Sequence, residues 1–213
     1  MKKNFLIFFI FLFALQSKAQ FLNSIAVTGG ISYGNQKFYF SDPAATARKK
    51  YIFGYNGSVF AEFFNGENAR WVSEIQYNQK GSLDKQPSNN YRNKLQYISW
   101  NNYLKLRYEM YSIIPYILIG PRLEYNLAQG TSSPAITGKF LPLHVSGAAG
   151  AGVEFISYSN FKFFTEAFYN PDIMPAYKKT DLTVRNNNIE LRIGLKYEMR
   201  GRRETCNTPT YVE

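Results

Sequence analysis

The stretch 188–199 reads NIELRIGLKYEM, and its apolar and polar residues alternate almost without fault. Ile189, Leu191, Ile193, Leu195, Tyr197 and Met199 fall on one face, and Glu190, Arg192, Gly194, Lys196 and Glu198 on the other. Strand side chains point alternately to opposite sides, so this is a strand with one oily and one charged face. The rest of the chain decides which face meets the surroundings.

The same period of two recurs in seven other stretches, giving eight expected strands at 23–34, 51–64, 69–81, 94–109, 112–127, 142–156, 160–170 and 187–200. Most reach ten residues or more, where soluble sheets use about five or six. A strand of about ten residues, tilted near 45°, crosses a bilayer. The connections alternate in length. Asn65-Gly66-Glu67-Asn68, Met110-Tyr111 and Ser157-Tyr158-Ser159 are tight turns, whereas 35–50, 82–93, 128–141 and 171–186 are long and rich in loop-forming residues. Outer-membrane barrels combine short periplasmic turns with longer extracellular loops in this way.

The polar faces carry Glu62, Glu74, Glu124, Glu154, Glu166, Glu190 and Glu198 against Lys80, Lys105, Arg107, Arg122, Lys162, Arg192 and Lys196. Equal numbers suit a closed interior, where an unpaired charge is costly. Eight strands enclose just enough room for side chains to fill. The expected fold is therefore all-β: an eight-stranded antiparallel up-and-down transmembrane β-barrel over 20–200 with a polar, ion-paired lumen. Its ion-pair network is expected to use Glu62, Glu74, Lys105, Arg107, Arg122, Glu124, Glu154, Glu166, Arg192 and Lys196. A soluble barrel of lipocalin type would invert the two faces. Tyr51, Trp71, Tyr108, Tyr125 and Tyr197 near strand ends, where interfacial girdles sit, argue against it. Some positions break the pattern: Asn102 falls on the outer face, and Ile52, Phe60, Phe64, Phe164 and Phe168 fall inside. Luminal aromatic packing, a bulge or a register slip would each account for them.

Lys2 and Lys3, the apolar run Phe5–Leu15 and the small residues Ser17 and Ala19 read as a cleaved signal peptide over 1–19. Its removal, with Lys18, lowers the formal charge from +10 to +7. About 194 residues then remain, enough for one domain. The single Cys206 excludes an internal disulfide, and residues 201–213 read as a polar tail. Abundant Tyr and Phe, 17 and 18 residues, favour strands.

With the strands placed, the chain resembles the PorT-like outer-membrane β-barrels of Bacteroidota over nearly its whole mature length. The resemblance rests on YNQKGS (77–82), LQYISWNNYLKLRY (95–108), PYILIGPRLEYNL (115–127), GAGVEF (150–155), EAFYN (166–170) and NIELRIGLKYE (188–198), in order and spacing. Ser99 and Asn101 stand where the family usually has Glu and Pro. The resemblance implies an outer-membrane location and an eight-stranded barrel. It also brings in a protein secretion system, to which the founding member is linked.

Enzymatic chemistry finds little footing. His144 and Ser146 share a face and resemble the His-x-Ser pair of a lipid A deacylase, but they need an acid. Glu154 lies roughly 27 Å further along the strand at about 3.4 Å per residue. The pair also points into the lumen. Cys206 has no ligand neighbours for a metal, and no cofactor is expected. TGGISYG (28–34) and GAAGAG (147–152) lie within strands, where glycine eases curvature or close packing. Arg48, Lys49, Lys50, Lys178, Lys179 and Arg185 in the long loops are candidates for contact with lipopolysaccharide or surface partners. Nucleic acid is excluded for an exported barrel. The expected function is a non-enzymatic, monomeric structural or accessory barrel whose loops meet surface partners. A narrow porin-like channel is the alternative, and a lipid-modifying enzyme the remote one.

Overall fold

The computed structural model describes residues 22–41, 49–64, 66–85, 90–133, 136, 138–156 and 159–199. The expected signal peptide, Arg48, Cys206 and the tail 201–213 lie outside the described residues. The elements are β1 (Leu22–Phe40), β2 (Lys49–Lys50), β3 (Ile52–Phe63), β4 (Ala69–Lys85), β5 (Asn90–Arg107), β6 (Ile113–Thr131), β7 (Leu143–Phe155), β8 (Phe161–Pro171), β9 (Tyr177–Lys179) and β10 (Leu182–Glu198). Eight long strands pair antiparallel with their neighbours in chain order, and β10 closes on β1 from Ser24↔Glu198 to Phe40↔Leu182. The short β2 and β9 pair onto β4 and β10. The result is a closed up-and-down barrel, which leaves no sheet edge unpaired along its wall.

The strands outrun the expected ones at the long-loop end. Within the stretches 35–50 and 82–93, residues 35–40, 49–50, 82–85 and 90–93 are ladder, because β1 continues to Phe40, β4 to Lys85 and β5 begins at Asn90. The third and fourth long connections are shortened in the same way by β6, β9 and β10. At about 3.3 Å per residue and a tilt near 40°, a strand as long as β5 rises roughly 45 Å, against an apolar band of about 25 Å. The sheet therefore projects beyond that band.

The faces are those of an inside-out protein. Ile193 is 71% exposed and Val59 59%, while Lys80, Arg122, Glu124 and Lys196 are 1% exposed or less. Tyr51, Trp71, Tyr108, Tyr125 and Tyr197 all lie outward near the two rims. Asn102 is outward as expected and accepts a hydrogen bond from the Trp71 indole at 3.2 Å. Trp100 likewise donates to Ser73 at 2.9 Å. Each indole N–H thus has a partner on the adjacent strand, as a tryptophan facing hydrocarbon requires. Phe60, Phe164 and Phe168 are buried inside, the luminal-packing alternative, and Ile52 is half-buried. Phe64 is 49% exposed in the first tight turn at φ 62°, so its expected luminal position is incorrect. The residue belongs to the turn, where period-two counting stops.

Candidate functional site

Among the described residues, buried ionisable side chains converge in the lumen, and they do so in layers. At the short-turn end, Ser24 of β1 pairs with Glu62 on one side and Glu198 on the other. Register also sets Arg70 opposite Lys105, and Lys196 opposite Lys162. Like charges face to face repel, and the carboxylates separate them. Lys105 Nζ lies 2.6 Å from Glu62 Oε1 and also bonds Glu154. Lys196 Nζ lies 2.5 Å from Glu154 Oε2. Arg70 reaches Glu62 at 2.8 Å, and Lys162 reaches Glu198 at 2.7 Å.

Above this sits an aromatic layer. Phe60 meets Phe164 edge-on with centroids 5.6 Å apart, and Tyr103 meets Phe168 at 5.4 Å. Three glycines seat these rings. Gly150, Gly152 and Gly194 face Phe168, Tyr116 and Phe164 directly across the ladder. A Cβ on them would lie 2.6, 2.5 and 2.2 Å from the respective ring. Only a residue without a side chain lets each ring lie flat on the strand. Cations complete the layer: Lys105 Nζ lies 3.9 Å from the Tyr116 centroid, and the Arg192 guanidinium 4.1 Å from that of Phe168.

In the middle, Arg192 bridges Glu74 at 2.6 Å and Glu166 at 3.0 Å. Glu74 also accepts from Asn101 at 2.8 Å and from Ser58, and Glu166 accepts from the Tyr116 hydroxyl at 2.9 Å. Glu190 accepts from Arg122 at 3.0 Å, Gln76 at 2.7 Å and Asn170 at 2.7 Å. Buried carboxylates are tolerated because cations and amides replace their hydration shell.

Toward the long loops, Lys80 Nζ sits 2.7 Å from both oxygens of Glu124. His144 Nε2 lies 3.5 Å from Glu124 and 3.4 Å from Asp172. Ser146 donates to Glu124 at 2.5 Å rather than to His144. The acid that a His-x-Ser pair needs is thus present, but the serine hydroxyl is turned away from the imidazole and all four groups are buried. Glu124, His144 and Asp172 could also offer three ligand atoms to a metal. The Lys80 ammonium already occupies the Glu124 carboxylate and lies 3.8 Å from Asp172. An added ion would have to share that space with a fixed positive charge. Over the top, Leu95, Tyr97, Ile136, Phe140, Ala176, Tyr177, Leu182 and Val184 form a second apolar cluster, with Phe38 and Phe40 packed against it.

Nine of the ten expected network residues meet an opposite charge. Arg107 does not: it is 8% exposed, Nε is unpartnered, and no carboxylate pairs with it among the described residues. The end of β5 carries it past the Glu62–Glu154 layer that Lys105 serves. Arg70 and Asp172 join the network without having been expected. Arg70 sits at a strand start and Asp172 in a long connection, where alternation gives no phase. Of the expected loop cations, Lys50, Lys178, Lys179 and Arg185 are exposed at the long-loop rim, and the Lys49 backbone pairs with Asp84. Lys37, Arg92 and Lys139 are exposed there too, and Lys37 faces Arg185 directly across the ladder.

No protein-family profile and no curated protein sequence matches this chain. Solved structures do. The outer membrane protein OprG from Pseudomonas aeruginosa superposes with a TM-score of 0.55 at 9% identity, over 85% of this chain and 98% of that one. Neisserial surface protein A gives 0.48 at 16%, over 82% and 96%. The outer membrane protease OmpT from Escherichia coli gives 0.48 at 9%, over 85% and 99%. At such identities the likeness is one of architecture alone, and the match to OprG identifies that architecture as the antiparallel β-barrel of outer-membrane proteins.

Proposed function

We propose that this chain is an outer-membrane barrel of structural or accessory role, with a sealed lumen and a cationic outer rim that contacts anionic surface partners. The observation behind this reading is the filling of the lumen. Ion-paired layers, an aromatic layer and an apolar cap follow one another along the axis; strand register holds the first two in place, and connections supply part of the cap. Side chains that neutralise one another leave hydrated ions no favourable path. The long strands carry the rim beyond the bilayer, where Lys37 and Arg185 oppose each other with Lys50 and Lys178 nearby in the same rim. Like charges held opposite one another favour an anionic counterpart, and lipopolysaccharide phosphates supply one. The PorT-like resemblance adds a secretion system as the kind of machine such a rim would serve, and export would use the N-terminal segment as a cleaved signal.

Planar-bilayer recording tests the sealed lumen. The expected trace carries no steady unitary steps, whereas reproducible steps would replace this reading with the narrow channel. Lipopolysaccharide capture tests the rim: Lys37→Gln with Arg185→Gln is expected to weaken it, and unchanged capture would remove the rim from the proposal.

A further inference from the structure

Midway along the outer wall the apolar surface is broken. Ser73 of β4 and Asn102 of β5 face each other across the ladder, and both point outward. Asn102 stands six positions above Tyr108 at the short-turn rim and six below Gln96, which accepts a hydrogen bond from Tyr77 at 3.0 Å toward the long-loop end. At about 3.3 Å per residue and a tilt near 40°, that spacing rises roughly 15 Å, so Asn102 lies near the middle of an apolar band of about 25 Å. Its carboxamide is only half satisfied. Oδ1 accepts from the Trp71 indole at 3.2 Å, but Nδ2 donates to no group among the described residues. The backbone is short of partners at the same level. The β5–β6 pairing skips from Asn101↔Arg122 to Leu104↔Ile119, and Pro121, which stands in the gap, has no N–H to give. Thr165, an outward hydroxyl on β8, is satisfied within the barrel instead: it donates to the Arg192 carbonyl at 3.2 Å.

We infer that the β4–β5 wall is a homodimer interface, in which Asn102 pairs with the same residue of a second copy across a twofold axis along the membrane normal. A bare amide donor in hydrocarbon is costly, and lipid tails offer it no acceptor. Depth selects the occupant. Two copies inserted in the same orientation bring identical carboxamides to the same level, and residues near a twofold axis meet their own equivalents. The donors and acceptors also balance. A carbonyl oxygen accepts twice, so each Oδ1 keeps its indole and takes the opposing Nδ2, and each Nδ2 gains the acceptor it lacks. Ile75, Trp71, Trp100 and Leu104 around the pair are half exposed. They supply bulky contact area, with tryptophan a frequent anchor of interfaces. A lipid chain would cover these side chains without answering the amide. The inference rests on the barrel lying in a bilayer and replaces the single barrel expected from the sequence.

The test uses the full barrel folded into phospholipid vesicles and labelled at Cys206, the only cysteine of the sequence. One portion carries a donor dye and another an acceptor dye. The wild type is expected to show energy transfer above that of random encounters, falling as lipid is added. Asn102→Leu is expected to weaken association roughly tenfold, while Asn102→Gln, which keeps a donor and an acceptor, should stay within about threefold of the wild type. Thr165→Val on β8 should leave association unchanged. Folding is checked by the heat-dependent shift of the band on a gel, and Asn102→Ala serves if Asn102→Leu does not fold. Transfer at the random level in the wild type would overturn the dimer and leave this wall to lipid. Association unmoved by Asn102→Leu would overturn the interface by placing the contact on another wall, and an equal loss with Thr165→Val would do the same. None of these outcomes depends on whether the lumen conducts or the rim binds lipopolysaccharide.

Discussion

The two ends of the lumen are closed by opposite means. At the short-turn end, Glu62, Glu154, Lys105 and Lys196 lock four different strands together through charge. At the long-loop end, Phe140, Ala176, Tyr177 and Leu182 close the barrel with apolar surface, partly supplied by connections rather than by the wall. The first plug is inseparable from the sheet, because breaking it strands a charge in a dry interior. The second can lift away while the sheet stays intact. One end is therefore built for permanence and the other for local opening.

The largest effect should come from the charged end. Lys105→Met leaves Glu62 and Glu154 short of a shared cation, and is expected to cost about 3–5 kcal/mol. The urea midpoint of the detergent-folded barrel, read from the gel band shift, checks this. Adding Glu154→Gln should restore much of the loss. A midpoint indifferent to both changes would erase the contrast between the ends. Next comes the ring layer. Gly194→Ala drives a methyl group into Phe164 and should cost about 1–3 kcal/mol, and Phe164→Leu in the same chain should relieve part of it. The apolar cap should behave differently. Tyr177→Ala is expected to move the global midpoint by less than about 1 kcal/mol while markedly speeding proteolysis of the 172–181 connection. Equal losses at Tyr177 and Lys105 would mean that the cap is part of the barrel's cooperative unit. The smallest effect belongs to Arg185→Gln in neutral detergent, within about 0.5 kcal/mol, because its side chain is exposed at the rim.

Legibility in the sequence followed the same division. NIELRIGLKYEM was readable because lipid and lumen impose opposite chemistries on alternate residues. That pressure placed Lys105, Arg122, Glu124, Glu154 and Arg192 inward and Ile189, Leu191 and Ile193 outward. Above the apolar band the outer face of the sheet no longer meets hydrocarbon, while the inner face meets the apolar cap. The alternation therefore fades in 35–40, 82–85 and 90–93 although the ladder of backbone hydrogen bonds continues there. Asp172 was invisible for a related reason: it reaches Lys80 and His144 from a bridge to Ser146 outside any long strand. Phe60, Phe164 and Phe168 looked like errors of phase, yet a clue was present. Glycines at 150 and 194 face two of those rings, and pairing distant positions requires the register that a lone sequence does not supply. Arg107 read as one more member of a balanced set, because counting charges cannot tell which cation overshoots the layer.

Closure of β10 on β1 has a consequence for how this molecule comes into being. Ser24 finds its partner in Glu198, at the opposite extreme of the folded region. Every contact across that seam must wait until the whole chain has been delivered. Until then the first and last strands each show a bare row of amides and carbonyls to whatever is near. Contacts so remote along the chain form slowly, so this seam is expected to zip after the ladders between strands that neighbour one another in sequence.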